Sequence, residues 1–368
     1  MTPVHGAASG APLLWGPVIL DQQAGADEGR LLAGLSYTAC RVAVDWATVE
    51  QEPGLWNEAV FRALRQRLLA LRDAGIEPIL TLHRGHDPLW FQTSRGWLRG
   101  DAVQLFCRYV VRVVEEVGDL VTYYVTIDRP TELALRAAQQ PGARRATPWR
   151  LGMATPATWG LRRTLRAFLH AHGAARRTLR HATPRHGPRL PGPPVAIIGH
   201  HIQPFAPRRA ASLTDRAAVA AADYLWNWLP LRVLSDGVFH PPLGHGNYLL
   251  ELHDSLDLVG LSCGPSVVLP PATPTGADAE ALPTGFGDHV ALRQMLRRAA
   301  ALGKPLLIVA DGCPGAPDQQ AAWLQARLAI IATARTSGAD VRGYLYHDLP
   351  HGPFGGPDQT GACPVMAE

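Results

Sequence analysis

Val125-Thr126-Ile127-Asp128-Arg129-Pro130 reads as the end of a buried strand that carries a charged pair to the mouth of a barrel. Short apolar runs of this kind recur at residues 13–18, 38–46, 77–83, 121–127, 194–201, 257–263, 305–310 and 341–347. Between them lie stretches at 57–74, 101–117, 157–181, 215–234, 288–302 and 317–337. Their apolar residues repeat at i, i+3 and i+4, the helical period. Gly75 and Gly303 follow two of these stretches, where a helix end wants a left-handed residue. This alternation predicts an α/β fold, a (β/α)8 barrel.

Two Pro/Gly-rich segments interrupt the rhythm. Residues 183–194 read as a surface connection and 264–286 as a long loop over the barrel mouth. After the last apolar run, residues 348–368 are rich in Gly and Pro and carry no helical period. The expectation is one shortened barrel domain over 1–368, its last helix reduced or missing. The groove so left between the first and seventh helices needs cover from the N-terminal segment, the tail or a second copy of the chain.

The chain has 368 residues, 47% hydrophobic and 18% charged, a globular composition. Its net charge is only +4. Arginines such as Arg162, Arg163, Arg166, Arg176, Arg177 and Arg180 fall on helical surfaces, and no basic-aromatic motif points to nucleic acid. The five cysteines, Cys40, Cys107, Cys263, Cys313 and Cys363, form no CxxC pair, which predicts reduced thiols. Residues 1–13 lack a leader pattern, and no apolar run reaches membrane-spanning length. A cytoplasmic protein is expected, and the Ala, Arg, Gly and Pro content points to a GC-rich bacterial genome.

Ordered pieces of the chain resemble glycoside hydrolase family 1, the retaining β-glucosidase family. Leu14-Trp15-Gly16 with Gln23 resembles the family's opening strand and its sugar-binding Gln. Arg41 to Trp46 resembles "RFSISW", and Asn57 the helix start that follows. Ala74 to Pro78 with Thr81-Leu82 resembles "AGIEPxxTL". Pro88-Leu89-Trp90 and Gly96-Trp97-Leu98 match the next loop. Tyr123 to Pro130 resembles "YWITFNEP", Gly303 to Gly312 "GKPxxITENG", and Asp340 to Tyr344 the approach to strand eight.

The family's reaction needs two carboxyls roughly 5–5.5 Å apart, one a nucleophile and one an acid/base. The resemblance puts Arg129 at the acid/base position and Ala310 at the nucleophile position. Alanine cannot attack an anomeric carbon, and a guanidinium stays protonated near neutrality. The sugar-binding positions are altered too: Arg84 stands for a His, Asp128 for an Asn, and Cys263 and His347 for a Tyr and a Trp. Gln23, Arg41 and Trp90 match the family pattern.

Arg41, Arg84 and Arg129 around one pocket suit a small anionic ligand. The other reading is that Asp45, Asp87, Asp128 and Asp311 neutralise them in a structural network. His83, His86, His200, His201, His347 and His351 fall after strands three, five and eight, on the functional face. No metal-ligand spacing occurs among them, so no metal or other cofactor is expected. His83, His86 or His201, paired with Asp128 or Asp311, are candidate acid/base groups.

Three functions stay open. The first is a family 1-like protein that has lost hydrolysis and holds a small ligand in the barrel mouth. The second is a repurposed enzyme performing elimination, isomerisation or cyclisation. The third is a residual glycosidase using Asp128, Glu132 or Asp311 as displaced carboxylates.

Overall fold

The computed structural model describes residues 13–20, 28–138, 156–269, 288–312 and 317–347. Eight parallel strands form one sheet: β1 Leu14–Pro17, β2 Ala39–Ala43, β3 Glu77–Thr81, β4 Tyr123–Asp128, β5 Val195–Ile202, β6 Leu258–Cys263, β7 Leu306–Asp311 and β8 Val341–Tyr346. Each expected run supplies one strand. Neighbours follow chain order, and β1 pairs with β8 through Leu14 and Gly343. The Ile19 amide donates to the Arg41 carbonyl at 2.8 Å and the Thr38 amide to the Trp15 carbonyl at 2.8 Å, closing β1 onto β2. The sheet is therefore a barrel.

The helices longer than five residues are α1 Glu28–Gly34, α2 Glu58–Asp73, α3 Ala102–Val117, α4 Pro130–Ala138, α5 Pro156–His181, α6 Leu213–Asp223, α7 Leu229–Asp236, α8 His289–Ala300 and α9 Pro317–Thr336. In α2, Phe61, Leu64, Leu68 and Leu71 are buried, as the period requires. Asn57 caps it by accepting from the Ala59 and Val60 amides. Gly75 and Gly303 adopt φ of 74° and 64°, the left-handed exits expected of them.

Several elements differ from expectation, among them α1, which no expected stretch covers. The stretch at 215–234 divides into α6, a π-helical turn over Tyr224–Trp228, and α7. Pro230, in the first turn of α7, has no N–H to continue an unbroken α-helical ladder. Helix α4 escaped the periodicity reading because it is short and follows the strand directly, although Pro130 opens it as a first-turn proline should. Within 264–286, Val267–Leu269 forms a short strand beside Phe205–Pro207, and residues 270–286 lie outside the described residues. Residues 183–194 are a loop, as expected. The expected loss of the last helix concerns 348–368, which also lie outside the described residues.

The barrel interior is filled by Val18, Ile79, Val125, Ile197, Leu307 and Leu345, all buried. Each such side chain contributes about 1.5–3 kcal/mol on burial. The apolar layer between strands and helices is aromatic at one end, where Trp46 packs on Phe91, Phe106 and Tyr109. Where β1 meets β2, a Cβ on Gly16 would lie 1.6 Å from the Ala39 carbonyl oxygen. That contact is backbone on backbone and cannot yield locally. Gly16→Ala is expected to destabilise the barrel by at least about 3 kcal/mol, the upper end of ordinary overpacking. An unchanged urea midpoint would show that β1 can move outward.

Candidate functional site at the barrel mouth

The C-terminal strand ends converge on a buried polar core. Arg41, on β2, is 1% exposed. Its NH2 donates to Asp128 Oδ2 at 2.6 Å, its Nε to Thr81 Oγ1 at 2.9 Å and its NH1 to the Val309 carbonyl at 2.9 Å. Asp128, the last residue of β4, is thus the counter-charge for a guanidinium that spans from β2 to β7. Room for that carboxylate exists because residue 199 is glycine: a Cβ there would sit 2.3 Å from Asp128 Oδ1. Ala310 lies next to Val309, buried in the inner cluster.

Arg129 turns the chain from β4 into α4 with φ of 53°, a left-handed conformation uncommon for a residue with a Cβ. Its amide donates to the Gly199 carbonyl at 2.7 Å. The turn brings Glu132 round to the mouth, where Glu132 Oε2 lies 3.5 Å from Arg129 NH1 and Oε1 lies 3.4 Å from His201 Nε2. His201 Nδ1 is 3.0 Å from Ser262 Oγ on β6. Burial works to raise the Glu132 carboxyl, but the His201, Arg129 and Arg136 charges outweigh it and hold the pKa below the usual value. Burial pushes His201 down, against the pull of Glu132. The chain Ser262–His201–Glu132–Arg129 therefore places an imidazole between a hydroxyl and a carboxylate.

The other expected residues are distributed differently. Arg84 pairs with Asp45 at 3.2 Å, and His86 meets the same carboxylate at 3.2 Å. His83 is buried and bonds Asp87 at 2.8 Å, not Asp128 or Asp311. Asp87 also accepts from Trp97. Trp90 donates to the Glu50 carbonyl at 3.0 Å and packs edge-on against Trp46, which makes it part of the aromatic layer. Each of Arg41, Arg84 and Arg129 thus has a carboxylate partner, the arrangement of the structural-network reading.

Two candidates point away from the mouth. Asp311 is 1% exposed and bonds Arg327 of α9 at 3.0 Å and Tyr344 at 3.1 Å. A register irregularity in β7 between Ile308 and Asp311 goes with this outward turn. Asp311 is therefore no replacement carboxylate for the mouth. Cys263 belongs to the outer apolar layer, and burial pushes its thiol up to about 12, so it is no mouth ligand. Its neighbour Ser262 faces inward, as alternation along a strand demands. The amide of His347 donates to the Asp311 carbonyl at 2.6 Å. Gln23 and His351 lie outside the described residues.

Ser262 and the His201–Glu132 pairing were missed in the sequence. A serine in an apolar strand carries no motif, and the Glu132 contact depends on the left-handed corner at Arg129. Among the described residues, Cys40, Cys107 and Cys263 are free thiols, no group of three or more His, Cys, Asp or Glu could hold a metal, and no helix is long and apolar enough to cross a membrane.

A closed parallel barrel with its polar residues gathered at the C-terminal strand ends defines the class of (β/α)8 barrel proteins with a site at the mouth. A profile of glycosyl hydrolase family 1 matches residues 26–151. Thermostable beta-glucosidase B of Thermobispora bispora is 26% identical over 350 residues, 87% of this chain and 70% of that protein. Human lactase/phlorizin hydrolase is 25% identical over 255 residues, 67% of this chain but only 12% of that protein. The beta-glycosidase from Pyrococcus horikoshii superposes with a TM-score of 0.72 at 21% identity, covering 91% of this chain and 84% of that one. The chain is thus similar to glycosyl hydrolase family 1 proteins in sequence and shares their barrel fold.

Proposed function

We propose that this family 1-like barrel has lost retaining β-glycosidase hydrolysis and keeps its mouth as a site for a small ligand. One observation carries the reading. Where the resemblance assigns the two carboxyls, the chain has a guanidinium at Arg129 and a methyl group at Ala310. The carboxylates nearby are engaged: Asp128 with Arg41, and Glu132 with His201 and Arg129. Each faces basic partners, the opposite of the apolar surroundings that keep a carboxyl protonated for acid catalysis. The ion pairs also weaken the case for an anionic ligand, because a newcomer must displace a carboxylate from Arg41 or Arg84.

Purified protein incubated with p-nitrophenyl β-glucoside and β-galactoside is expected to release no nitrophenol above a heat-inactivated control. It is also expected to gain no mass from 2-fluoro glycosides. Turnover with covalent trapping would overturn the proposal in favour of displaced carboxylates. The double change Arg129→Glu with Ala310→Glu is expected to restore no measurable glycoside turnover, because it removes the Arg129–Glu132 pair and sets a second carboxylate beside Glu132. Turnover in that variant would show that the remaining sugar contacts are intact.

The second reading, an enzyme with different chemistry, is favoured by the Ser262–His201–Glu132 chain.

A further inference from the structure

We propose that Ser262, His201 and Glu132 form a nucleophile–base–carboxylate line able to hydrolyse esters of short acyl groups. Three strand ends of the same face supply it: Ser262 from β6, His201 from β5, and Glu132 from the helix that follows β4. The distances are 3.0 Å from Ser262 Oγ to His201 Nδ1 and 3.4 Å from His201 Nε2 to Glu132 Oε1. A nucleophile within hydrogen-bond reach of a base that a third group orients is the geometry an activated serine needs, and it is often looser without substrate.

The protonation states agree with that role. With the ring proton on Nε2, the nitrogen 3.4 Å from Glu132 Oε1, Nδ1 is the acceptor and the Ser262 hydroxyl donates to it. Burial favours the neutral ring that this needs. The opposite tautomer would leave two lone pairs facing each other at Glu132.

Space and charge also fit. A Cβ on Gly264 would lie 2.7 Å from His201 Nε2 and 3.0 Å from Gln203 Oε1, so glycine is what lets the ring sit here. Arg129, 3.5 Å from the other oxygen of the Glu132 carboxylate, steadies that carboxylate at the end of the line. Ser262 is 3% exposed and His201 8%, so an acyl group must be short to approach the hydroxyl.

The step balances without a redox partner. Ser262 Oγ bonds to the acyl carbon while its proton passes to His201 Nδ1. The carbon–oxygen bond to the alcohol breaks, and the alcohol leaves with that proton. Water then attacks the acyl-serine, gives a proton through His201 back to Ser262, and releases the carboxylic acid.

The test treats the intact chain with a fluorophosphonate and maps the adduct by peptide mass spectrometry. The expected result is one phosphonyl group on Ser262. With p-nitrophenyl acetate, Ser262→Ala is expected to lower kcat/KM at least about 100-fold and Glu132→Gln about 10-fold or more. An unlabelled Ser262 in the wild-type protein, or ester turnover unchanged in Ser262→Ala, overturns the proposal. The adduct map needs no variant, so a misfolded substitution leaves it decisive. Acetate and glycoside substrates are assayed side by side: glycoside turnover would sink the loss of hydrolysis, and absence of ester turnover would sink this line alone.

Discussion

Asp311→Ala is expected to cost about 3–5 kcal/mol of stability, the range for breaking a buried ion pair from one side. Arg327 is 0% exposed and Asp311 1%, and their side chains meet at 3.0 Å. Removing the carboxylate leaves a guanidinium that no water can reach. It also strips the Tyr344 hydroxyl of its acceptor at 3.1 Å. Asp311→Asn keeps an acceptor for Tyr344 but still loses the charge, so its cost is expected to lie between wild type and Asp311→Ala. Urea unfolding at neutral pH reads both. A loss below about 1 kcal/mol in Asp311→Ala would mean that Arg327 finds another anion or reaches solvent. Because Asp311 faces α9 rather than the mouth, the adduct on Ser262 should survive in any Asp311 variant that still folds.

The orientation of Asp311 could not be read from the sequence. This strand was legible from the apolar run 305–310, and alternation gives the facing of Leu307 and Val309. The irregularity in β7 turns Asp311 outward, and no local signal marks it. The eight strands were readable because each is an apolar run set between helical periods, and those patterns arise within a few residues of chain. Ion pairing was less accessible. Arg41 and Asp128 are 87 positions apart, and Glu132 and His201 come from different elements. Such pairs form only when the barrel closes, so the sequence supplied the charges and not their partners. The left-handed residue at Arg129 is the sharpest case. It aims Glu132 at His201, yet an Arg before a Pro suggests an extended conformation, not a left-handed one.

Lowering the pH from about 6.5 to about 4 is expected to remove about 3 kcal/mol of stability for each of His172 and His200. Both rings are fully buried. His172 lies between Thr126 Oγ1 at 2.6 Å and the Ser255 carbonyl at 3.1 Å, and His200 bonds the Asn227 carbonyl at 2.7 Å. Burial pushes each pKa down to about 4 from an ordinary 6.5. Between those values the unfolded chain binds more protons than the folded one, so stability rises with pH. The contribution is complete above about 6.5 and lost as pH falls through about 4. Asp311 works the other way over an overlapping window. Burial lifts its pKa to about 6 from 3.8, so the folded state takes up the extra proton and regains about 2 kcal/mol by pH 4. These three groups together should therefore contribute a loss of about 4 kcal/mol, less than the two histidines alone would give. Denaturant unfolding at pH 7.5, 6, 5 and 4 measures it. His172→Gln, which keeps hydrogen-bonding groups in place of the ring, should reduce that pH-dependent loss by about 3 kcal/mol while lowering stability at pH 7.5. An equal acid loss in wild type and His172→Gln would show that His172 is protonated inside the folded barrel, where Ser255 and Asp257 would then have to hold its charge.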